Sequence, residues 1–305
     1  MSLRQLSERV HVWQGGVNFG IIVGEDRQLI LVDSGLDSHA PRKALRPFLE
    51  NGHRLAAIIN THSHADHIGG NADLVRRFGC TVWAPAKERP FILWPELEPL
   101  GLYGGAWPPP ELHAKFLRAE PTPAVCELPD APGHITLAGV ELELVPVPGH
   151  ALDQVAISVD GVLLVADGLF KPEVIAKHPI TFLVNVAEYL SSIDRLAGRG
   201  ERFILPGHGE LIDRETGEGD PLPGVIEANR QAMARVQETV VAELAHPLCL
   251  EDLLVRTVAR LGKELHGEAQ YFLDRTAISA HLTYLMEQGT VKSLFENGRR
   301  FLLRQ

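Results

Sequence analysis

Apolar and polar positions along the chain fall into two rhythms. Short apolar runs bounded by Gly or Pro read as buried strands. Val10 to Trp13, Phe19 to Val23 and Gln28 to Val32 open the chain this way, and residues 55–60, 142–147, 162–166 and 203–205 repeat it. Helical spacing predicts a helix over 38–50, with Ser38 as N-cap and Pro41 in the first turn. It predicts others over 67–78 and over 186–199, where Val186, Leu190, Ile193 and Leu196–Ala197 share a face. Strands and helices that alternate predict an α/β protein.

Residues 85–133 break this alternation. They hold Trp94-Pro95, Pro99, Tyr103-Gly104-Gly105-Ala106-Trp107, Pro108-Pro109-Pro110 and Pro121-Thr122-Pro123. Consecutive prolines exclude a continuous helix or central strand. The aromatic content predicts an ordered insertion with short helices at 87–94 and 110–118. Trp94, Tyr103 and Trp107 are expected to wall a substrate pocket, and Lys171 is placed to attract an anionic substrate group.

The chemistry concentrates in Thr61-His62-Ser63-His64-Ala65-Asp66-His67-Ile68-Gly69-Gly70. Imidazole and carboxylate bind zinc or iron at neutral pH. One turn cannot aim His62, His64, Asp66 and His67 at a single ion. It can supply two neighbouring ions, His62 and His64 to one, Asp66 and His67 to the other. Further donors stand where apolar runs end: His150 in Pro148-Gly149-His150, Asp167 in Asp167-Gly168, and His208 in Pro206-Gly207-His208-Gly209. Donors at strand exits should gather at one edge of a sheet system.

This pattern resembles the metallo-β-lactamase superfamily, over roughly residues 8–215. The resemblance implies an αββα sandwich with metals at one edge. It implies that His62, His64 and His150 bind one metal, that Asp66, His67 and His208 bind the other, and that Asp167 bridges them. Asp33, in Leu31-Val32-Asp33-Ser34-Gly35, would orient the histidine loop from behind. The ligand set is similar to that of the glyoxalase II, lactonase and ribonuclease branches. It departs from class B β-lactamases, which lack a carboxylate in the Asp167 role, and from diiron flavoproteins, which carry a Glu where this chain has Ser63 or Ala65.

The tail predicts a long helix over 224–245, a short one over 248–255 and a third over 274–288, capped by Asp274 and ended by Gly289. Val291 to Leu294 and Phe301 to Leu303 read as a hairpin around Glu296-Asn297-Gly298-Arg299. Helices followed by a two-stranded wing resemble a winged-helix domain. The expected organisation is a catalytic domain over 1–223, with the 85–133 insertion at its pocket, and a small α+β unit over 224–305. Cations and acids in the tail are about balanced, which favours a structural role over nucleic-acid binding.

Composition agrees with a soluble enzyme. The chain has 305 residues and a net charge of −10, which argues against a surface that coats nucleic acid. With no leader and no membrane-length apolar run, the expected location is cytoplasmic. Cys80, Cys126 and Cys249 show no metal spacing, and each is expected as a small buried side chain.

The expected activity is hydrolysis of a thioester, ester or lactone by a hydroxide that bridges two divalent metal ions, zinc first, with iron or manganese as alternatives. Asp66 is the catalytic candidate, to orient the hydroxide and pass a proton to the leaving group. The alternatives are a phosphodiesterase or endoribonuclease with the same site, and a mononuclear iron persulfide dioxygenase. The expected partner is a small-molecule substrate. No membrane contact is expected, and a homodimer is allowed.

Overall fold

The computed structural model describes residues 2–305. One sheet runs in chain order through Ser2–Gln5 (β1), Val10–Gln14 (β2), Phe19–Val23 (β3), Gln28–Val32 (β4), Arg54–Ile59 (β5), Thr81–Ala84 (β6) and Cys126–Glu127 (β7). The second contains Gly133–Leu137 (β8), Val140–Pro146 (β9), Val155–Val159 (β10), Val162–Ala166 (β11), Phe203–Pro206 (β12) and Ile212–Asp213 (β13), in the order β13-β12-β11-β10-β9-β8. Four of the strands feeding the site pair in parallel, β4 with β5 and β11 with β12, while β9, which leads to His150, pairs antiparallel with β10. The C-terminal ends of each parallel pair therefore lie side by side.

The apolar runs are continuous because both faces of each strand are covered. Ile30 and Val32 of β4 point between the sheets and meet Leu144, Ile157 and Leu164. Leu29 and Leu31 point outward and pack under Leu45 and Leu74. On the second sheet, Leu163 and Val165 face outward onto Tyr189, Ile193 and Leu196. The result is four layers: helix, sheet, sheet, helix.

The helices are His39–Glu50 (α1), Ala65–Ile68 (α2), Asn71–Phe78 (α3), Arg89–Leu93 (α4), Leu97–Leu102 (α5), Pro172–Lys177 (α6), Val186–Ala197 (α7), Leu222–Glu243 (α8), Leu250–Arg260 (α9) and Glu268–Glu287 (α10). Two differ in kind from expectation. The helix expected over 67–78 is broken at Gly69-Gly70, where the backbone passes against Leu36 and Ser34. A Cβ at Gly69 would lie 2.1 Å from the Leu36 carbonyl oxygen. Asp274 does not cap a helix but sits buried within α10, which begins six residues earlier. There it accepts hydrogen bonds from Lys263 Nζ at 2.7 and 2.8 Å.

Ser38 precedes α1 without capping it; its hydroxyl donates to Asp73 instead. Of the cysteines, Cys80 is buried, Cys126 is exposed on an edge strand, and Cys249 is half-buried.

The tail carries the expected helices and hairpin, Val291–Glu296 (β14) and Arg299–Arg304 (β15). Asn297 and Gly298 both take positive φ, which suits a two-residue hairpin turn. The first half of α8 packs in the outer core of the second sheet, through Val225, Ile226 and Met233. Its second half joins α9, α10 and the hairpin through Val236 and Val240. One helix thus ties the tail to the sandwich. Among the described residues, no helix is long and apolar enough to cross a membrane.

Candidate metal centre

The segments after β5, β9, β11 and β12 bring all seven donors predicted from sequence to one edge, and the loop after β4 brings Asp33 beside them. His62, His64 and His150 form one cluster, and Asp66, His67 and His208 another; within each, one donor atom per residue lies within 4.8 Å of the others. Asp167 stands between them. Its Oδ2 is 3.5 Å from His150 Nε2 and 3.6 Å from His208 Nε2, and its Oδ1 is 3.4 Å from His67 Nε2.

Four of the five imidazoles are held from behind through Nδ1. Thr61 Oγ1 lies 3.0 Å from His62 Nδ1, and Asp33 Oδ2 lies 2.8 Å from His67 Nδ1. His150 Nδ1 faces the Phe182 carbonyl oxygen, and His208 Nδ1 the Gly16 carbonyl oxygen, both at 2.9 Å. Engaging Nδ1 turns Nε2 inward as the free donor atom. His64 is reversed: its Nδ1 lies 2.8 Å from His150 Nε2, while its Nε2 lies 4.0 Å from Glu98 Oε1.

Asp33 fixes more than one residue. Its carboxylate accepts from the Thr61 amide and the Thr61 hydroxyl, each at 2.8 Å, and so pins the start of the histidine loop. Asp33 has a left-handed φ of 63°, and Ala166, directly before Asp167, has 46°. Such conformations cost about 1–3 kcal/mol each and concentrate at functional sites. Gly207 is a steric requirement. A Cβ there would fall 2.0 Å from Asp167 Oδ1 and 2.9 Å from His67 Cε1.

The electrostatics suit a cation. Burial keeps His62, His64 and His150 neutral, with His64 pushed down to about 3. Neutral imidazole is the ligating form. Burial alone would raise the Asp66 carboxyl, but His67 and His208 outweigh it and hold it at about 2. Asp167 raises His208 to about 9.

Buried polar atoms without a hydrogen-bond partner are rare in folded proteins. Here His62 Nε2, His67 Nε2 and Asp167 Oδ1 are three of them, and all belong to the donor set. An imidazole and carboxylate set with inward-facing free donors fits divalent metal ions.

The proposed pocket aromatics are elsewhere. Trp94 and Trp107 are 57% and 69% exposed, and Trp107 packs on His113. Tyr103 packs edge-on against Phe272 of α10. Lys171 precedes α6 and lies against Gly209. None of the four lines the cavity beside the donors, whose walls include Trp13, Phe19, Leu36, Leu117, Phe182 and Leu273. Trp94, Tyr103 and Trp107 lie away from the cavity, whose lining from the insertion includes Phe116 and Leu117.

Sequence reasoning also missed two acids, Glu88, which is buried, and Glu98, which is half-buried. Glu88 accepts from Ser63 and from the Asp153 amide, bracing the histidine loop against the loop after His150. Glu98 lines the cavity, and burial raises it to about 7, with Glu88 adding to the effect. Glu96, Glu98 and Glu111 stand alike among apolar residues of the insertion, so no local signal singles out Glu98.

A four-layer α/β/β/α sandwich with a histidine–aspartate centre at its edge defines a class, and the sequence comparisons agree. The description "Metallo-beta-lactamase superfamily" matches residues 12–208, and the chain belongs to that superfamily. It is 24% identical over 270 residues to the lactamase-like protein vrtG of Penicillium aethiopicum, covering 87% of this chain and 73% of that protein. It is 28% identical to a hydroxyacylglutathione hydrolase of Xanthomonas euvesicatoria, covering 61% of this chain and 58% of that one. It is 26% identical to an atrochrysone carboxyl ACP thioesterase of Aspergillus fumigatus, covering 63% and 50%. A β-lactamase domain protein from Burkholderia ambifaria has the same fold, with a TM-score of 0.75 at 19% identity over 100% of this chain and 94% of that one.

Proposed function

We propose that the chain is a dinuclear metal hydrolase, with zinc the first expected metal, acting on an acyl thioester, ester or lactone. The observation that carries this reading is the pairing of two three-donor clusters across one carboxylate, Asp167. His62, His64 and His150 would hold one ion, Asp66, His67 and His208 the other, and Asp167 both. Bound there, divalent ions supply a nucleophile from water at neutral pH and stabilise charge on the scissile carbonyl. Relatives described as a hydroxyacylglutathione hydrolase and an ACP thioesterase support acyl chemistry.

The chain's own part is positioning and proton transfer. Asp66 is the more open of the two carboxylates, 28% exposed against 8% for Asp167, and its Oδ2 lies 3.3 Å from His208 Nε2. In this reading Asp66 Oδ2 orients the attacking water and carries its proton. The water oxygen bonds to the acyl carbon, the bond to sulfur or oxygen breaks, and the leaving atom takes the proton. Asp33 is a positioning residue acting through His67 and Thr61. The tail, read as a winged helix, serves here as a wall: Leu273 of α10 lines the cavity.

The test is metal analysis with a substrate panel of thioesters, lactones, phosphodiesters and persulfides. The expected result is two metals per chain and turnover of an acyl substrate that is lost with chelator and restored by zinc. One iron with oxygen uptake would instead indicate a persulfide dioxygenase. RNA cleavage lost on deleting residues 225–305 would indicate a nuclease.

A further inference from the structure

We infer that the acyl part of the substrate is an uncharged apolar chain or ring, seated in the cavity beside His64 and Asp66. This rests on the hydrolase reading and goes beyond it by naming the substrate class. The cavity holds about 520 Å³, within the usual range for small-molecule sites. Trp13, Phe19, Leu36, Leu117, Phe182 and Leu273 are among its apolar lining residues. These come from the first sheet, the loop after β4, the insertion, the loop before α7, and α10. Leu117 and Leu102 pack with Phe272 and Leu273 in one apolar cluster, so insertion and tail close the cavity together.

Charge points the same way. Among the described residues, no Lys or Arg lines this cavity. Outside the donor set, its charged lining is acidic: Glu98 near His64, and Asp37, which pairs with Lys115 at 3.6 Å. An acyl group bearing a carboxylate at its far end, away from the metal donors, would lose hydration and meet no Lys or Arg in return, a penalty that apolar contacts do not offset.

A second cavity of about 820 Å³ meets the first at His150 and Asp167 and, unlike it, carries basic groups. Its lining adds Lys177 and Lys263, with Glu173 and Asp274, to apolar side chains such as Phe170 and Ile180. The arm with basic groups is therefore left for the leaving group and the arm without them for the acyl chain.

The test uses the zinc-loaded full chain and thioesters of N-acetylcysteamine, a neutral thiol. The octanoyl ester should exceed the acetyl and succinyl esters at least ~10-fold in kcat/KM, as hydrophobic pockets discriminate by about this much. Phe116 is half exposed and lines both cavities, so Phe116→Arg should fold; it should lower the octanoyl-to-succinyl ratio ~10-fold. Independently of turnover, the non-hydrolysable S-octyl thioether should bind in calorimetry with a negative heat-capacity change. Its carboxypropyl counterpart should not bind.

Equal or faster turnover of the succinyl ester would overturn the inference. So would preference for octyl acetate, which puts the apolar group on the leaving side, or failure of the S-octyl thioether to bind. Binding of that thioether without turnover of any ester would uphold the apolar acyl arm while refuting the hydrolase reading.

Discussion

Asp33 Oδ2 sits 2.8 Å from His67 Nδ1, while the same carboxylate holds the amide and hydroxyl of Thr61. One buried acid thereby sets the ring orientation of a metal-type histidine and the path of the loop that carries two others and Asp66. Asp33→Asn keeps the shape but can accept at only one atom. Metal affinity should fall ~10–100-fold, the usual cost of losing such an outer partner. Competition titration against a chelator measures it. Unchanged affinity would remove Asp33 from the positioning role.

Gly207 offers a steric test of the same centre. In Gly207→Ala the new methyl must displace the Asp167 carboxylate or the His67 ring. Displacements of about 1 Å at a reacting centre can cost ~100-fold in rate. The variant should keep its far-UV circular dichroism and lose about that much kcat/KM together with metal content. Wild-type activity in this variant would mean that the loop relaxes freely.

The tail has its own buried ion pair, Lys263 with Asp274, whose side chains are 18% and 5% exposed. Lys263→Met leaves the Asp274 carboxylate buried without its cation. Removing one partner of a buried pair costs about 3–5 kcal/mol. Urea unfolding should show that loss, and Lys263→Met combined with Asp274→Leu should recover much of it. A single variant as stable as the parent contradicts this account.

His281 gives a pH dependence remote from the metal donors. It is fully buried in α10, neither ring nitrogen has a hydrogen-bond partner, and burial lowers it to about 4. The unfolded chain takes up a proton below its ordinary value of about 6.5, but the folded chain does not until about 4. Stability from the neutral ring is thus complete above pH ~6.5 and is lost as pH falls toward 4, up to about 3 kcal/mol in all. His281→Leu should flatten this slope, so its advantage over the parent grows between pH 7 and pH 5. Parallel stability curves for the two proteins would refute it.

Much of this was legible because local chemistry forces it. Residues 162–166 are apolar at every position, so both faces of that strand had to be covered, one by the first sheet and the other by α7. His62, His64, Asp66 and His67 crowd one turn too tightly to serve a single ion. The insertion was misread for an equally local reason. Trp94 and Trp107 are the largest apolar side chains in it, but the pocket wall fell to Leu117 from the insertion and to Phe182 and Leu273 from distant segments. Size and hydrophobicity say that a side chain favours burial, not which neighbours it meets.

The sequence by itself determined the identity of the donors and the strands that end beside them, because ligand type and strand periodicity are local properties. Only the tertiary structure decided which nitrogen each ring turns inward, and that an apolar cavity lies between insertion and tail. Those depend on loops after five strands in two sheets closing on a single edge. The left-handed turns at Asp33 and Ala166 that aim the carboxylates are held by packing around them, and no residue pattern along the chain encodes that packing.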